Sequence, residues 1–316
     1  MWLSDLTLVL PDRIVTKGAL RVENGLIAEI AETPVPGGVA CGGAHAFAGF
    51  IDMHGDMVEV EMEPRKNVDF PMEVALPHLD ARLAASGVTT AYAAVSFSRG
   101  AKGGQKRSYT HTSKAIRSLH ALRGAARIDH RIHARFDITF DDAVGVLREL
   151  IDDDQVDLVS LMDHTPGQGQ YRDIERHVRG IAENQGISET EARQIVTTRI
   201  AERSRPQEII LDNLRQVSEI SKAHAVPLAS HDDDTAAKAN LMADLGVVIA
   251  EFPVTMEATE TASRRGLMNA MGAPNAMRGQ SYSGNLSARD AHARGLVHSL
   301  PPGARAAAWV RTCRPA

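Results

Sequence analysis

Two rhythms of apolar and polar positions divide the chain. From residue 3 to 30, "LSDLTLVLPDRIVTKGALRVENGLIAEI" runs as short β-type segments broken at Pro11–Asp12, Lys17–Gly18 and Asn24–Gly25. An Asn–Gly pair between β-prone segments signals a two-residue hairpin. The pattern predicts a small antiparallel β-domain over residues 1–45, ending in the Gly/Pro linker "TPVPGGVACGG". From about residue 46 the rhythm changes, and β-rich apolar segments alternate with longer helical ones. The strands are "AFAGFIDMH", "VTTAYAAVSF", "RIHARFDITF", "VDLVSLMDH", "VPLASHD" and "GVVIAEFPV". Between them lie helical stretches; one opens on a capping box, Ser188 with Glu191, and others end at Gly87 and Gly246. Such alternation predicts an α/β fold with a parallel sheet covered by helices over residues 46–300. An Arg/Ala/Pro-rich irregular tail, 301–316, follows.

Composition narrows the picture only a little. With 316 residues, 43% hydrophobic and 24% charged, the chain is long enough for a self-sufficient core. A net charge of −5 argues against a general nucleic-acid binder, though not against a phosphate-bearing small molecule. Cys41 and Cys313 stand far apart and outside any CxxC pattern, which fits a reducing compartment and disfavours a sulfur-ligated zinc site. The start carries no signal-peptide pattern, and no run approaches the ~18 apolar residues of a membrane span. A cytoplasmic protein is expected.

The polar residues change the picture more. His54 and Asp56 follow the first barrel-type strand; spaced by two, they project from one face of an extended chain. His133 and Asp137, then His164, then His231 with Asp232 to Asp234, fall at the same structural phase of later strands. In parallel α/β folds, ligands bind outside the carboxyl ends of the strands. Imidazoles and carboxylates gathered there describe a divalent-metal site of mixed N and O donors, suited to zinc, manganese or iron. Each residue also has a plainer reading. A lone strand-end histidine is more often a satisfied polar group, and the aspartates at 232–234 suit the cap of the next helix. "LIDDDQVD" reads as a solvated turn.

The strand ending in His-x-Asp, with one histidine from each of two later strands, resembles the amidohydrolase superfamily of metal-dependent hydrolases. "GFIDMHGDMVEVEMEPRKNVDFP", "VSLMDHTPGQGQY", "LASHDDDT", "AEFPVTMEA" and "MGAPNAMRGQSYSGNLSARD" are together similar to its PhnM branch, the diphosphatases of phosphonate use. The resemblance runs from about residue 3 to 297. It implies a TIM-like (β/α) barrel, distorted or incomplete, with a small N-terminal β-domain. It also implies hydrolysis of alpha-D-ribose 1-methylphosphonate 5-triphosphate to the 5-phosphate and pyrophosphate. Matched residue by residue, His54, Asp56, His164 and His231 take the family's metal-ligand positions. Asp137 stands where the family has Glu, a shorter arm for a bridging carboxylate. A polyphosphate needs cations near the metal, and Arg65 and Arg278 are the candidates, since a guanidinium grips phosphate with two parallel bonds. Lys102, in the Gly-rich "SRGAKGGQKR", is a third; that stretch reads equally as a basic surface loop.

The family pattern breaks near the end. An aspartate is expected after the last barrel strand, yet no Asp follows Asp290, and Pro301–Pro302 fall where that strand should run. Two expectations follow: a shortened chain with a weakened, open site, or substitution by another carboxylate, with Asp232 and Asp233 as the catalytic candidates. Open barrel edges would invite a homo-oligomer. The competing functions are a phosphoanhydride hydrolase acting on a phosphorylated sugar, a C–N hydrolase of the same superfamily, and a weakly active or inactive homologue that binds the phosphorylated ligand.

Overall fold

A computed structural model describes residues 1–65, 68–97 and 109–301. Lys102 and the stretch around it lie outside the described residues, as does Pro302. The chain divides into two compact units, Met1–Phe50 and from Ile51 onward, a few residues beyond the boundary expected from the linker.

The first unit is a five-stranded sheet. β1 (Trp2–Val9) pairs antiparallel with β2 (Ile14–Glu23), which pairs antiparallel with β3 (Leu26–Ala31). The short β4 (Val39–Ala40) and β5 (His45–Ala46) lie parallel to β1. Alternation in β1 sends Leu6 and Leu8 into a cluster with Val15. At the β2–β3 turn Asn24 and Gly25 have φ of 50° and 77°, the paired positive values of a type I′ hairpin.

The second unit is built on a seven-stranded sheet in the order β12-β11-β10-β9-β8-β7-β6. The strands are β6 (Phe50–Gly55), β7 (Val88–Phe97), β8 (Asp129–Asp137), β9 (Leu158–Met162), β10 (Leu228–His231), β11 (Val247–Glu251) and β12 (Met268–Ala270). The pairs from β7 to β12 are all parallel. Each step to the next strand crosses through helix, because parallel neighbours need a long return path. Two helices, α1 (Met57–Met62) and α2 (Met72–Ala85), follow β6, and α3 (Tyr109–Leu122) follows β7. Then come α4 (Val144–Asp152), the trio α5 (Ile174–Gln185), α6 (Glu189–Arg203) and α7 (Gln207–Ala223), and α8 (Ala236–Asp244). After β11 come α9 (Met256–Arg264), and after β12 α10 (Ala273–Arg278) and α11 (Ala288–Ala293). The capping box forms as the sequence predicts: Ser188 Oγ accepts from Glu191 N–H, and Glu191 accepts from Ser188 N–H. The strands are buried throughout β9 and β10, the signature of a sheet covered on both faces. Among the described residues this is an incomplete TIM-like (β/α) barrel with a small β-sheet unit before it in sequence.

Where an eighth strand would stand, residues 298–301 run beside β12 without forming a strand. Ser299 bridges Ala270 in parallel; Met271 N–H donates to Ser299 O and Ala273 N–H to Pro301 O, both at 2.9 Å. On its other side Ser299 Oγ approaches Met53 Sδ of β6 at 3.5 Å. Among the described residues the pairing is brief, and Pro301 has no N–H to give to a ladder.

Candidate metal centre

The ends of β6, β9, β10 and β11, with the middle of β8, bring together two adjoining groups of donors. The first joins His54, His133 and Glu251, all buried; the second joins His164, His231 and Asp232. Within each group the donor atoms lie within 4.8 Å of one another. In the first, His54 Nδ1 stands 3.2 Å from Glu251 Oε1, and His133 Nε2 is 3.7 Å from Glu251 Oε2. In the second, Asp232 Oδ2 lies 3.0 Å from His231 Nδ1, without hydrogen-bond alignment, and 3.7 Å from His164 Nε2. The rings form one chain: His133 to His54 5.1 Å, His54 to His231 5.4 Å, His231 to His164 5.3 Å between centroids.

Local backbone geometry aims these groups. Successive residues of a strand alternate faces, so His133, Arg135 and Asp137 of β8 share one side. After β10 and β11 the chain turns sharply through a left-handed residue, Asp232 at φ 55° and Phe252 at φ 54°. Such conformations are costly for side chains other than Gly and cluster at functional sites. Here the turn at Asp232 brings its carboxylate beside His231. That at Phe252 sets its ring against His54 and His231, with centroids 4.9 and 5.4 Å away.

The donors fit a divalent cation. Burial pushes the His133 imidazole down to about 3 and also lowers His231, so both are neutral bases at pH 7. Burial alone would raise Glu251 and Asp232, but the facing imidazoles outweigh it and hold both carboxyls below their usual range. Neutral imidazoles with ionised carboxylates are the states a metal requires. Several donors have no hydrogen-bond partner although buried: His133 Nε2, both ring nitrogens of His231, Asp232 Oδ2 and Glu251 Oε2. Orphaned polar atoms in such number are costly in a core and call for a ligand.

Of the residues expected to bind metal, His54, His164 and His231 lie in these groups. Asp56 lies at their edge: its Oδ1 is 4.0 Å from His54 Nε2 and accepts from Arg135 Nη1 at 2.7 Å. Asp137 lies outside both groups, its oxygens accepting from Thr139 and from Arg203 of α6. Asp232 lines the cavity in front of the donors. Asp233 turns away, accepting from Ser230 Oγ at 2.5 Å with Lys238 Nζ at 3.5 Å. Arg278 lines the same cavity, whereas Arg65 is an exposed residue bridged to Val68. Glu251 and Arg135 were not singled out from sequence. A carboxylate inside the apolar run "GVVIAEFPV" was the available signal, since burying it without a partner is unfavourable.

The cavity holds about 300 Å3, with Arg135, Gln170, Asn275 and Ser281 also on its wall. No protein-family model matches the chain. Among solved structures it is similar in fold to 5-methylcytosine deaminase from Klebsiella pneumoniae liganded with phosphonocytosine. There the TM-score is 0.61 at 13% identity, covering 98% of this chain and 79% of that one. N-acetyl-D-glucosamine-6-phosphate deacetylase from Mycobacterium smegmatis gives a TM-score of 0.54 at 12% identity, over 94% and 67%. A curated relative carries more: the alpha-D-ribose 1-methylphosphonate 5-triphosphate diphosphatase of Escherichia coli strain K12 is 33% identical over 304 residues, 95% of this chain and 79% of the relative. Identity at that level along nearly all its length settles the lineage: the chain is a metal-dependent hydrolase and belongs to the PhnM-type diphosphatase family of the amidohydrolase superfamily.

Proposed function

We propose that the chain hydrolyses the triphosphate of alpha-D-ribose 1-methylphosphonate 5-triphosphate, leaving the 5-phosphate and pyrophosphate. Water adds across the α–β anhydride, so the products together carry its atoms. The observation that carries this reading is the wall of the 300 Å3 cavity, where Arg135 and Arg278 stand among the imidazoles and carboxylates. Guanidinium groups suit phosphoryl oxygens, whereas an apolar slot would suit a C–N hydrolase.

His54, His133 and Glu251 would hold one ion and His164, His231 and Asp232 its neighbour, with zinc the expected metal and manganese or iron the alternatives. A divalent ion held there supplies Lewis acidity, making water more acidic and neutralising charge on the phosphoryl oxygens. Asp232 takes the proton of the attacking water. Arg135, anchored on Asp56, keeps a fixed positive charge against the inner carboxylates, and Arg278 orients the polyphosphate from the mouth. The free Cys41 thiol suits a reducing compartment, the cytoplasm.

Metal analysis of the purified protein beside a pyrophosphate-release assay tests the reading. We expect divalent metal and pyrophosphate together; metal-replete protein that releases none would sink it. One observation favours a second reading, a silent homologue that binds without turnover. Residues 298–301, in the eighth position, are His, Ser, Leu and Pro and bring no carboxylate. In that case the sugar phosphate binds and the anhydride persists.

A further inference from the structure

A second, larger hollow adjoins the metal cavity. It holds about 680 Å3 and shares Gln170, Tyr282 and Ser283 with the first, so the two hollows lie side by side. Nothing in the chemistry assigned above uses it. The metal cavity alone lies at the lower limit of the roughly 300–1,000 Å3 typical of small-molecule sites. A sugar carrying three phosphates and a further anionic group would overfill it.

The hollow is walled by α5, which presents Arg176, His177 and Arg179. Among the described residues, neither arginine is in an ion pair with a carboxylate. Arg176 makes one long hydrogen bond, from Nη2 to Tyr282 O at 3.4 Å. Its guanidinium lies against Gly284, where an added Cβ would come within 2.1 Å of Nη1. The glycine, with φ of +73°, thus lets the 279–285 loop and the guanidinium share one position. That loop also carries Arg278's neighbours Ser281 and Tyr282 on the metal-cavity wall, so one short segment touches both hollows. Opposing charge comes from Asp173, which caps α5 through Arg176 N–H, from Glu183 on the wall, and from Glu175, whose carboxyl is lowered by its hydrogen bond to Arg193 and also by the charge of Arg179. His177 is held neutral, by burial and by the charge of Arg199 on α6. Its ring lies 4.1 Å from that of Tyr171, tilted by 36°, so two aromatic faces stand together on the wall.

We infer that this hollow is a second anion subsite: Arg176 and Arg179 receive the phosphonate at the far end of a sugar whose polyphosphate lies at the metal centre. The inference rests on the proposed function and makes the enzyme selective for doubly anionic sugars. With no ion pair to a carboxylate among the described residues, the two guanidinium groups can form charge-assisted bonds to phosphonate oxygens, and the exposed position of both residues keeps their replacement from disturbing the core.

Titration calorimetry on metal-loaded protein provides the test, with ribose 1-methylphosphonate 5-phosphate and ribose 5-phosphate as probes. The wild type should bind the doubly anionic sugar at least about tenfold more tightly, the weight of one charge-assisted hydrogen bond. In an Arg176→Gln/Arg179→Gln variant that preference should vanish, while ribose 5-phosphate binds within about twofold of wild type. Equal binding of the two sugars by the wild type, or a preference that survives the double replacement, overturns the inference. The two readings fail separately. Pyrophosphate release without the preference removes the subsite alone; the preference without pyrophosphate release removes the hydrolysis and leaves the subsite standing.

Discussion

β8 carries two buried histidines three residues apart, and their surroundings are opposite. His130 points outward to α2, where its Nε2 lies 3.1 Å from Asp80 Oδ1. That carboxylate also accepts from Arg127 N–H, Ile128 N–H and Arg127 Nη1, so its oxygens are satisfied within the protein. His133 points inward; its Nδ1 lies 3.2 Å from Met53 O and its Nε2 has no partner. Residue type and burial are the same on both faces. What separates a fastening from a binding site is whether the hydrogen-bond count closes.

The contrast predicts different losses on the two faces. The largest belongs to the inner face. Asp232→Asn keeps shape but removes both the proton acceptor and a charged donor of the second metal group, so pyrophosphate release should fall on the order of 10²–10⁴-fold or more, with the melting temperature close to wild type. Near-normal turnover would show that the proton leaves by another route. On the outer face, Asp80→Ala strands Ile128 N–H and His130 and should cost on the order of 3 kcal/mol in denaturant unfolding. Its metal content by mass spectrometry should match wild type; lost metal would mean that the two faces are coupled. Arg278→Ala comes next: KM for the triphosphate should rise about tenfold through loss of a charge-assisted bond, with kcat less affected. A change in kcat alone would place Arg278 at the reacting atoms instead.

The smallest effect is a pH slope. Burial lowers the His130 pKa below its usual value, and the unfolded residue titrates near ~6.5. Between those two values the unfolded chain binds the extra proton, so this contribution to stability falls as pH drops below ~6.5 and levels off beneath the folded pKa. Thermal unfolding between pH 7 and 5 should therefore be less pH-dependent in His130→Gln than in wild type. Identical slopes would show that the Asp80 hydrogen bond offsets burial.

The sequence made the strand–helix alternation legible because β7 and its successors are apolar runs of useful length, and the Asn24–Gly25 turn legible because few residues adopt its geometry. β12 escaped: Met268–Ala270 is three residues long, too short for any period. The fall of His54, His164 and His231 at strand ends was readable from phase alone. Glu251 was not, since a single acid within an apolar strand carries no periodic signal. Nor was the pairing of Asp137 with Arg203, which joins β8 to α6 and is fixed by tertiary packing rather than by spacing. Arg135 lay between His133 and Asp137, but its inward direction acquires meaning only once Asp56 faces it at 2.7 Å.

The left-handed turn at Asp232 limits how this centre can be altered. Asn tolerates such a backbone nearly as well as Asp, whereas β-branched or bulky side chains do not. A single replacement can therefore silence the carboxylate while conserving the local path of the chain. Lengthening the acid or substituting a valine would instead bend the loop and move His231 with it. For any lineage carrying this turn, losing the charge is a short step, and reshaping the pocket around it is a long one.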